Sequence, residues 1–386
     1  MIITVVCDVL GEENNGTTIA GMNLIRYLKA QGHTVRVLCG DQDKIGLEGY
    51  YIVPNYNLGK ILNDYVDKVG VTLAKPELDI VEEALKGVDA VHILIPLSLG
   101  IAACKIARRD NIPITASFHM QAENFTCYLK LNKVKPVNKF VYYFIWKHLY
   151  QYADAIHYPT SFIREIFEKS IKRTTNGYVI SNGVHSYVRK KDIPKPKGME
   201  SNIVILATGR YAREKSQDTL LKAVALSKYK NKIQLILAGQ GIKEKYYRKL
   251  AKKLPVSPIF KFYSREEMID VLNYCDFYVH PAEIELEGIS CIEAISCGKL
   301  TILSNSKLSA TRNFAVDEKC VFKSRSPKSL AKTIDYWIDH PEEKRVCEEK
   351  YLNSAKVFNQ DLCMKRMEKM LSEVVDGKRT KENSLL

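Results

Sequence analysis

Two carboxylates, Glu285 and Glu293, stand with seven residues between them in Pro281-Ala-Glu-Ile-Glu285-Leu-Glu287-Gly288-Ile-Ser-Cys-Ile-Glu293-Ala-Ile-Ser-Cys-Gly298. A strand-like run, Phe277 to His280, precedes them, and the pattern turns helical near Gly288. Glu285 is therefore expected on the loop before the helix. Glu293 is expected about one turn inside it, its side chain tilted toward the N-terminus. Both acids then converge on a helix start whose first N–H groups, at Gly288, Ile289 and Ser290, attract a phosphate. A diphosphate flanked by sugar hydroxyls suits that arrangement. The plainer alternative makes Glu285 and Glu287 solvated loop acids and Glu293 a dipole-favoured helix residue.

A second group, Thr208-Gly209-Arg210-Tyr-Ala-Arg213-Glu214-Lys215-Ser216, follows the strand-like run Ile203 to Thr208. An arginine fork grips phosphate oxygens in a bidentate way, and a nearby lysine adds a compact charge. Such a clamp stabilises negative charge developing on a departing diphosphate, so no metal is required. In the N-terminal half, Asn14-Asn15-Gly16-Thr17-Thr18 opens the first helix. Gly16 permits close backbone approach there, and Thr17 or Thr18 can cap the helix. His119 ends the strand-like run that starts at Ile114.

In this order the segments resemble the retaining glycosyltransferases of the GT-B fold, and among them the large bacterial family 4 with its E-x7-E signature. The resemblance implies that Glu285 contacts the transferred sugar and Glu293 holds the nucleotide ribose. By the same resemblance Gly209, Arg210 and Lys215 bind the donor diphosphate, Gly16 approaches the phosphates, and His119 hydrogen-bonds the sugar near the reacting carbon. Ser264, in Tyr263-Ser264-Arg265, falls where the family's backbone contacts the base. Ile180-Ser-Asn182-Gly183-Val184 and Ala238-Gly239-Gln-Gly241 are similar to further family segments. The sequence departs from the pattern at Glu287, where the family has phenylalanine, and at Gly16, where it more often has two adjacent glycines.

The elements that must position these residues alternate strand and helix almost from end to end. Ile2 to Asp8, a helix to about Gln31, Thr34 to Cys39, Ala90 to Pro96, Ile114 to His119 and Ala155 to Tyr158 make a first set. Ile203 to Thr208, Ile233 to Ala238, Ile259 to Tyr263, Phe277 to His280 and Leu300 to Ser304 make a second. The β-then-α order predicts parallel, doubly wound sheets with ligands beyond the carboxyl ends of the strands. The expected fold is thus α/β, two Rossmann-like domains facing across a cleft. The first spans residues 1–185 with a returning C-terminal segment 359–386, and the donor domain spans residues 186–358. Residues 186–200, with Arg189, Lys190, Lys191, Pro194 and Pro196, read as the linker, and Asp376 to Leu386 as a polar, mobile tail.

A length of 386 residues accommodates two such domains, and 46% hydrophobic with 26% charged residues excludes a disordered chain. The ten cysteines lack disulfide-scaffold or zinc spacing and read as buried, reduced thiols. The start has no basic n-region, and the longest apolar stretch, Ala90 to Cys104, is interrupted by His92 and Pro96. A cytoplasmic protein is expected. The net charge of +14 favours anionic partners. Between Glu123 and Asp154 no acid occurs, while Lys130, Lys133, Lys135, Lys139 and Lys147 alternate with aromatics that include Trp146. That mixture suits an anionic membrane face, peripheral and on the inner side, or else a packed helix with a solvated lysine edge. No nucleic-acid reading module is present.

The functional expectation is transfer of a hexose from a nucleoside-diphosphate sugar, UDP-hexose favoured, to a lipid or glycan acceptor, with no cofactor. A sugar-nucleotide epimerase, a glycosidase using the two glutamates, and a non-catalytic partner subunit are the other readings.

Overall fold

The computed structural model describes residues 1–11, 16–57, 59, 73–128, 131–132 and 134–383, with the side chains of all of these except Phe125, Tyr128 and 379–383. The chain forms two units. One comprises Met1–Ala122, Asn132–Asn182 and Asp361–Leu386, and the other Glu123–Leu131 and Gly183–Gln360.

The first unit is built on a parallel sheet of β1 (Ile2–Val6), β2 (Thr34–Cys39), β3 (Tyr50–Ile52), β4 (Ala90–Ile93), β5 (Ile114–Ser117), β6 (Ala155–Tyr158) and β7 (Gly177–Val179). Its strand order is β3-β2-β1-β4-β5-β6-β7, the doubly wound arrangement, with the reversal between β1 and β4. The C-terminal helix Gln360–Asn383 belongs here because Met364, Met367, Met370 and Leu371 cluster with Ile3, Val5, Val35 and Val37. Polar ties also fix it: Tyr27 donates to Glu368 at 3.2 Å. The His33 ring lies 2.8 Å from Glu368 Oε1, and Tyr178 donates to Glu373 at 2.9 Å. The tail expected from Asp376 is therefore corrected. Buried Val374 and Val375 anchor a helix that continues through charged residues to Asn383.

The second unit repeats the plan with β8 (Ile203–Thr208), β9 (Ile233–Ala238), β10 (Ile259–Lys261), β11 (Phe277–His280), β13 (Thr301–Ser304) and β15 (Val321–Phe322), in the order β10-β9-β8-β11-β13-β15. Every residue of β9 is buried, as a parallel strand covered on both faces requires. A two-strand addition, β12 (Ile284–Glu285) with β14 (Leu308–Ser309), lies outside that sheet. The expected linker is not a free connector. Val184 and Val188 are buried in this unit's core, and Asn273 accepts from the Lys191 N–H at 2.7 Å and donates to the Arg189 carbonyl at 3.1 Å.

Candidate functional site

The strand order places the reversal of the second sheet between β8 and β11, so the loops after these two strands share the crevice where such sheets bind ligands. The β8 loop carries Gly209, Arg210 and Lys215, and the segment after β11 carries Glu285. Glycine is required at the first turn. Gly209 has φ +130°, and Gly239, on the neighbouring loop, approaches the Gly209 carbonyl so closely that a Cβ would lie 2.2 Å from it. Gln217 folds back to donate to the Arg210 carbonyl at 3.0 Å, and Tyr247 donates to Gln217 Oε1 at 3.0 Å, which shapes the turn from below.

The two loops are joined directly. The Glu283 N–H donates to the Glu214 carbonyl at 2.7 Å, and Lys215 Nζ forms an ion pair with Glu285 Oε2. His280, at the end of β11, places Nε2 3.1 Å from the same carboxylate oxygen. Burial pushes the Glu285 carboxyl up, but Lys215 and His280 outweigh it and hold the group down at about 2. Behind His280, the Tyr278 hydroxyl lies 3.2 Å from Nδ1, 2.9 Å from Ser290 Oγ and 2.8 Å from Thr208 Oγ1. Glu285 is therefore an ionised carboxylate fixed by a cation and a ring. It sits in β12, paired in register with Ser309, which corrects its expected place on a loop. Glu287 is buried as well (3% exposed), so neither acid is the solvated residue of the plainer reading.

The helix Ile289–Ser296 begins at Gly288, whose φ of +88° no L-residue adopts without strain. A Cβ there would also lie 2.4 Å from Thr311 Cγ2. Glycine thus sets the angle at which Ile289 and Ser290 present the helix start. Glu293 lies one turn in, largely buried, with Arg265 Nη1 2.9 Å from its Oε1. Burial raises the Glu293 carboxyl, and Arg265 opposes only part of that rise. Each carboxylate of the pair thus has its own cation. Arg210 is half-exposed, with its guanidinium 3.4 Å from Glu214. Ser264 caps the next helix. Its hydroxyl accepts from Glu267 N–H and its own N–H donates to the Glu267 carboxylate, so both groups serve the capping box of helix Arg265–Tyr274.

In the first unit, Gly16 is exposed and begins the helix Gly16–Ala30, while Asn14 and Asn15 lie outside the described residues. Thr17 and Thr18 lie within the first turn and not at the cap. β5 ends at Ser117, so His119 stands two residues beyond the strand, partly exposed, its ring edge-on to His157 at 5.7 Å. Burial, then the His157 and His92 rings, depress its basicity well below the usual imidazole value. Beneath it runs a buried chain that sequence reasoning missed. The His92 ring bridges Thr115 and Ser117 (both 2.9 Å), Ser117 Oγ meets His157 Nδ1 (2.8 Å), and His157 Nε2 donates to the Ile180 carbonyl (2.7 Å).

The helix Lys135–His148 exposes Lys135, Lys139, Lys147, Phe140 (68%), Tyr143 and Phe144 and buries Tyr142 and Ile145. Trp146 is not part of the outward stripe. It is half-buried, with the Arg173 guanidinium 4.9 Å from its ring. Lys130 and Lys133 lie outside the described residues. Among the described residues no helix is long and apolar enough to cross a membrane, and no group of three or more His, Cys, Asp or Glu side chains could hold a metal ion.

His280, Tyr278 and Arg265 complete the site beyond the residues expected from sequence. His280 had a visible signal, a histidine closing a strand immediately before Pro281-Ala-Glu. Arg265 had none beyond its place after Ser264.

Two family descriptions match the chain: Glycosyltransferase Family 4 over residues 15–186 and Glycosyl transferases group 1 over residues 188–352. The alpha-monoglucosyldiacylglycerol synthase of Acholeplasma laidlawii is 21% identical over 395 residues, 96% of each chain. The uncharacterized glycosyltransferase YqgM of Bacillus subtilis is 26% identical over 162 residues, and the match spans 41% of this chain and 44% of that protein. The crystal structure of Anabaena HepE in complex with UDP-glucose superposes with a TM-score of 0.74 at 17% identity, over 97% of this chain and all of that one, and shares its fold.

Proposed function

Because the chain belongs to family 4 of the GT-B glycosyltransferases, we propose that it moves a hexose from a nucleoside-diphosphate sugar to an acceptor hydroxyl with retained anomeric configuration. The observation that carries this reading is the paired constellation at the sheet reversal: Lys215 with Glu285 and His280, and Arg265 with Glu293, around one helix start. Lys215 and Arg210 stabilise charge on the departing diphosphate, and the start of the helix at Gly288, Ile289 and Ser290 supports the same phosphates. Gly209 lets the diphosphate come close to the backbone. Glu285 and His119 orient the sugar, and Glu293 holds the ribose. No step in this scheme calls for a metal. Because the constellation carries cations for a leaving diphosphate as well as acids, it favours transfer over the two-carboxylate chemistry of a glycosidase. Incubation of the purified protein with radiolabelled UDP-glucose, UDP-galactose or GDP-mannose and diacylglycerol or glycolipid acceptors tests the reading. A new lipid-linked glycosidic product is the expected result. An isomerised donor without such a product points to an epimerase, and no turnover of any donor to a non-catalytic subunit.

The acceptor is proposed to be a lipid or lipid-linked glycan at the inner membrane face. Support comes from the helix Lys135–His148, where Phe140, Tyr143 and Phe144 project beside Lys135 and Lys139, the composition of an interfacial surface. The protein should float with phosphatidylglycerol-containing vesicles at 0.15 M salt, and Phe140→Ser/Lys139→Glu should stay at the bottom of the gradient. Equal recovery of both proteins in the bottom fraction removes the membrane part of the proposal.

A further inference from the structure

Arg265 is the one member of the constellation whose partners reach away from the sheet reversal. Its Nη1 meets Glu293 Oε1 at 2.9 Å, and its Nε lies 3.3 Å from the Tyr187 hydroxyl. The Tyr187 ring sits 5.9 Å below the guanidinium carbon and is itself stacked on His185, centroids 4.8 Å apart at 16°. A flexible arginine on an exposed helix start is thus held at two points, by a carboxylate and by an aromatic pair from the start of the second unit's main segment. The capping box of Ser264 and Glu267 fixes the backbone from which Arg265 projects. The Tyr187–His185 pair and the capping box therefore aim one guanidinium at one oxygen of Glu293.

We infer that Arg265 is a positioning residue for nucleotide binding: it fixes Glu293 through Oε1 so that the carboxylate accepts a ribose hydroxyl on its other oxygen, and Tyr187 keeps Arg265 in place. The inference rests on the reading of Glu293 as the ribose carboxylate. A buried acid needs such a partner, because burial favours the protonated form, and a protonated carboxyl loses half its value as an acceptor of hydroxyl hydrogen bonds. Burial does raise the Glu293 carboxyl. The other groups whose titration feels its charge are the Tyr278 phenol on β11 and the Cys291 and Cys297 thiols on its own helix. All three are pushed up by burial and stay neutral, so within this set Arg265 supplies the positive charge.

Calorimetric titration with UDP and GDP between pH 5.5 and 8 tests the inference on the full chain. Arg265→Met should bind the cognate nucleotide about tenfold more weakly at neutral pH, with the deficit widening toward acid as Glu293 takes up its proton. Arg265→Lys should recover most of the affinity, since it restores the charge, and Tyr187→Phe should fall between wild type and Arg265→Met. A purely structural role for Arg265 would lower affinity by the same factor at every pH and would not be rescued by lysine. That result overturns the inference, as does Arg265→Met binding as tightly as wild type or more tightly, the behaviour of an arginine that competes with ribose. The underlying reading fails separately, and takes the inference with it, if wild type binds 2′,3′-dideoxy-UDP as well as UDP and Glu293→Gln binds UDP unchanged.

Discussion

Lys215→Met is expected to lower turnover by about 10²–10³-fold, the usual effect of removing one preorganised charge from a developing anion. The loss should fall on kcat more than on KM, because the contact strengthens as the diphosphate departs. The same change takes a cation from a carboxylate that is only 14% exposed, leaving Glu285 with the His280 ring at 3.1 Å. Breaking one partner out of a buried pair costs about 3 kcal/mol or more. Acid sensitivity should follow with a defined sign. The Glu285 carboxyl is held at about 2, below its ordinary value of 4.5, so it contributes stability that is present above 4.5 and lost as pH falls toward 2. Without Lys215 burial pushes the carboxyl up, so this acid-linked loss shrinks, and the variant's stability deficit is largest near neutral pH and narrows toward acid. The double variant Lys215→Met/Glu285→Gln separates the two effects, since it should regain the melting temperature while remaining inactive. Initial rates at saturating donor and thermal melts at pH 4 to 8 are the measurements. Turnover of Lys215→Met within threefold of wild type would refute the leaving-group role.

The β/α alternation was legible because buried parallel strands are short apolar runs, and β2, β6, β8, β9 and β11 coincide with the runs read from sequence. β3, β7 and β15 were not, because Tyr50–Ile52, Gly177–Val179 and Val321–Phe322 are two or three residues long and take their strand character from a neighbour's hydrogen bonds. Motif spacing placed Glu285 and Glu293 on either side of a helix start correctly, since that depends only on local geometry. What it left out were the partners. Whether Glu285 meets Lys215, 70 residues away, is decided by the β8–β11 neighbour relation and not by either local segment. The grouping of Glu123–Leu131 with the second unit, and the continuation of the last helix past Asp376, depend on tertiary packing in the same way. Glu287 shows the limit from the other side. Its charge is plain in the sequence, its burial is not.

Ser117→Ala should strongly destabilise the first unit, and the direction of the hydrogen bonds shows why. The Ile180 carbonyl only accepts, so the proton of the neutral His157 ring resides on Nε2, and Nδ1 accepts from Ser117. The serine oxygen, having donated, accepts from His92 Nε2, and His92 Nδ1 lies 2.9 Å from the Thr115 hydroxyl, whose single proton is shared between that nitrogen and the Val91 carbonyl 3.2 Å away. One hydroxyl thus satisfies two buried rings at once. Alanine leaves a donor on His92 and an acceptor on His157 without partners, at about 1–3 kcal/mol each. Because His119 leans edge-on against His157, the same variant should also lose turnover while binding nucleotide normally. The chain works only with neutral rings. Burial, with His157 adding to it for His92, depresses His92 to about 3, and burial depresses His157 to about 4, against an ordinary value of 6.5. As pH falls below 6.5 the unfolded chain gains protons that the folded rings refuse. Stability is therefore intact above 6.5 and is lost at up to about 1.4 kcal/mol per pH unit for each ring, until the folded values are reached. Urea unfolding at pH 7, 5.5 and 4.5 reads both effects. Ser117→Ala should start lower by about 2–6 kcal/mol and lose the folded state at a higher pH. His157→Phe should flatten the acid slope by about one proton. A Ser117→Ala midpoint equal to wild type at all three pH values would show that the rings find other partners and that the relay holds nothing in place.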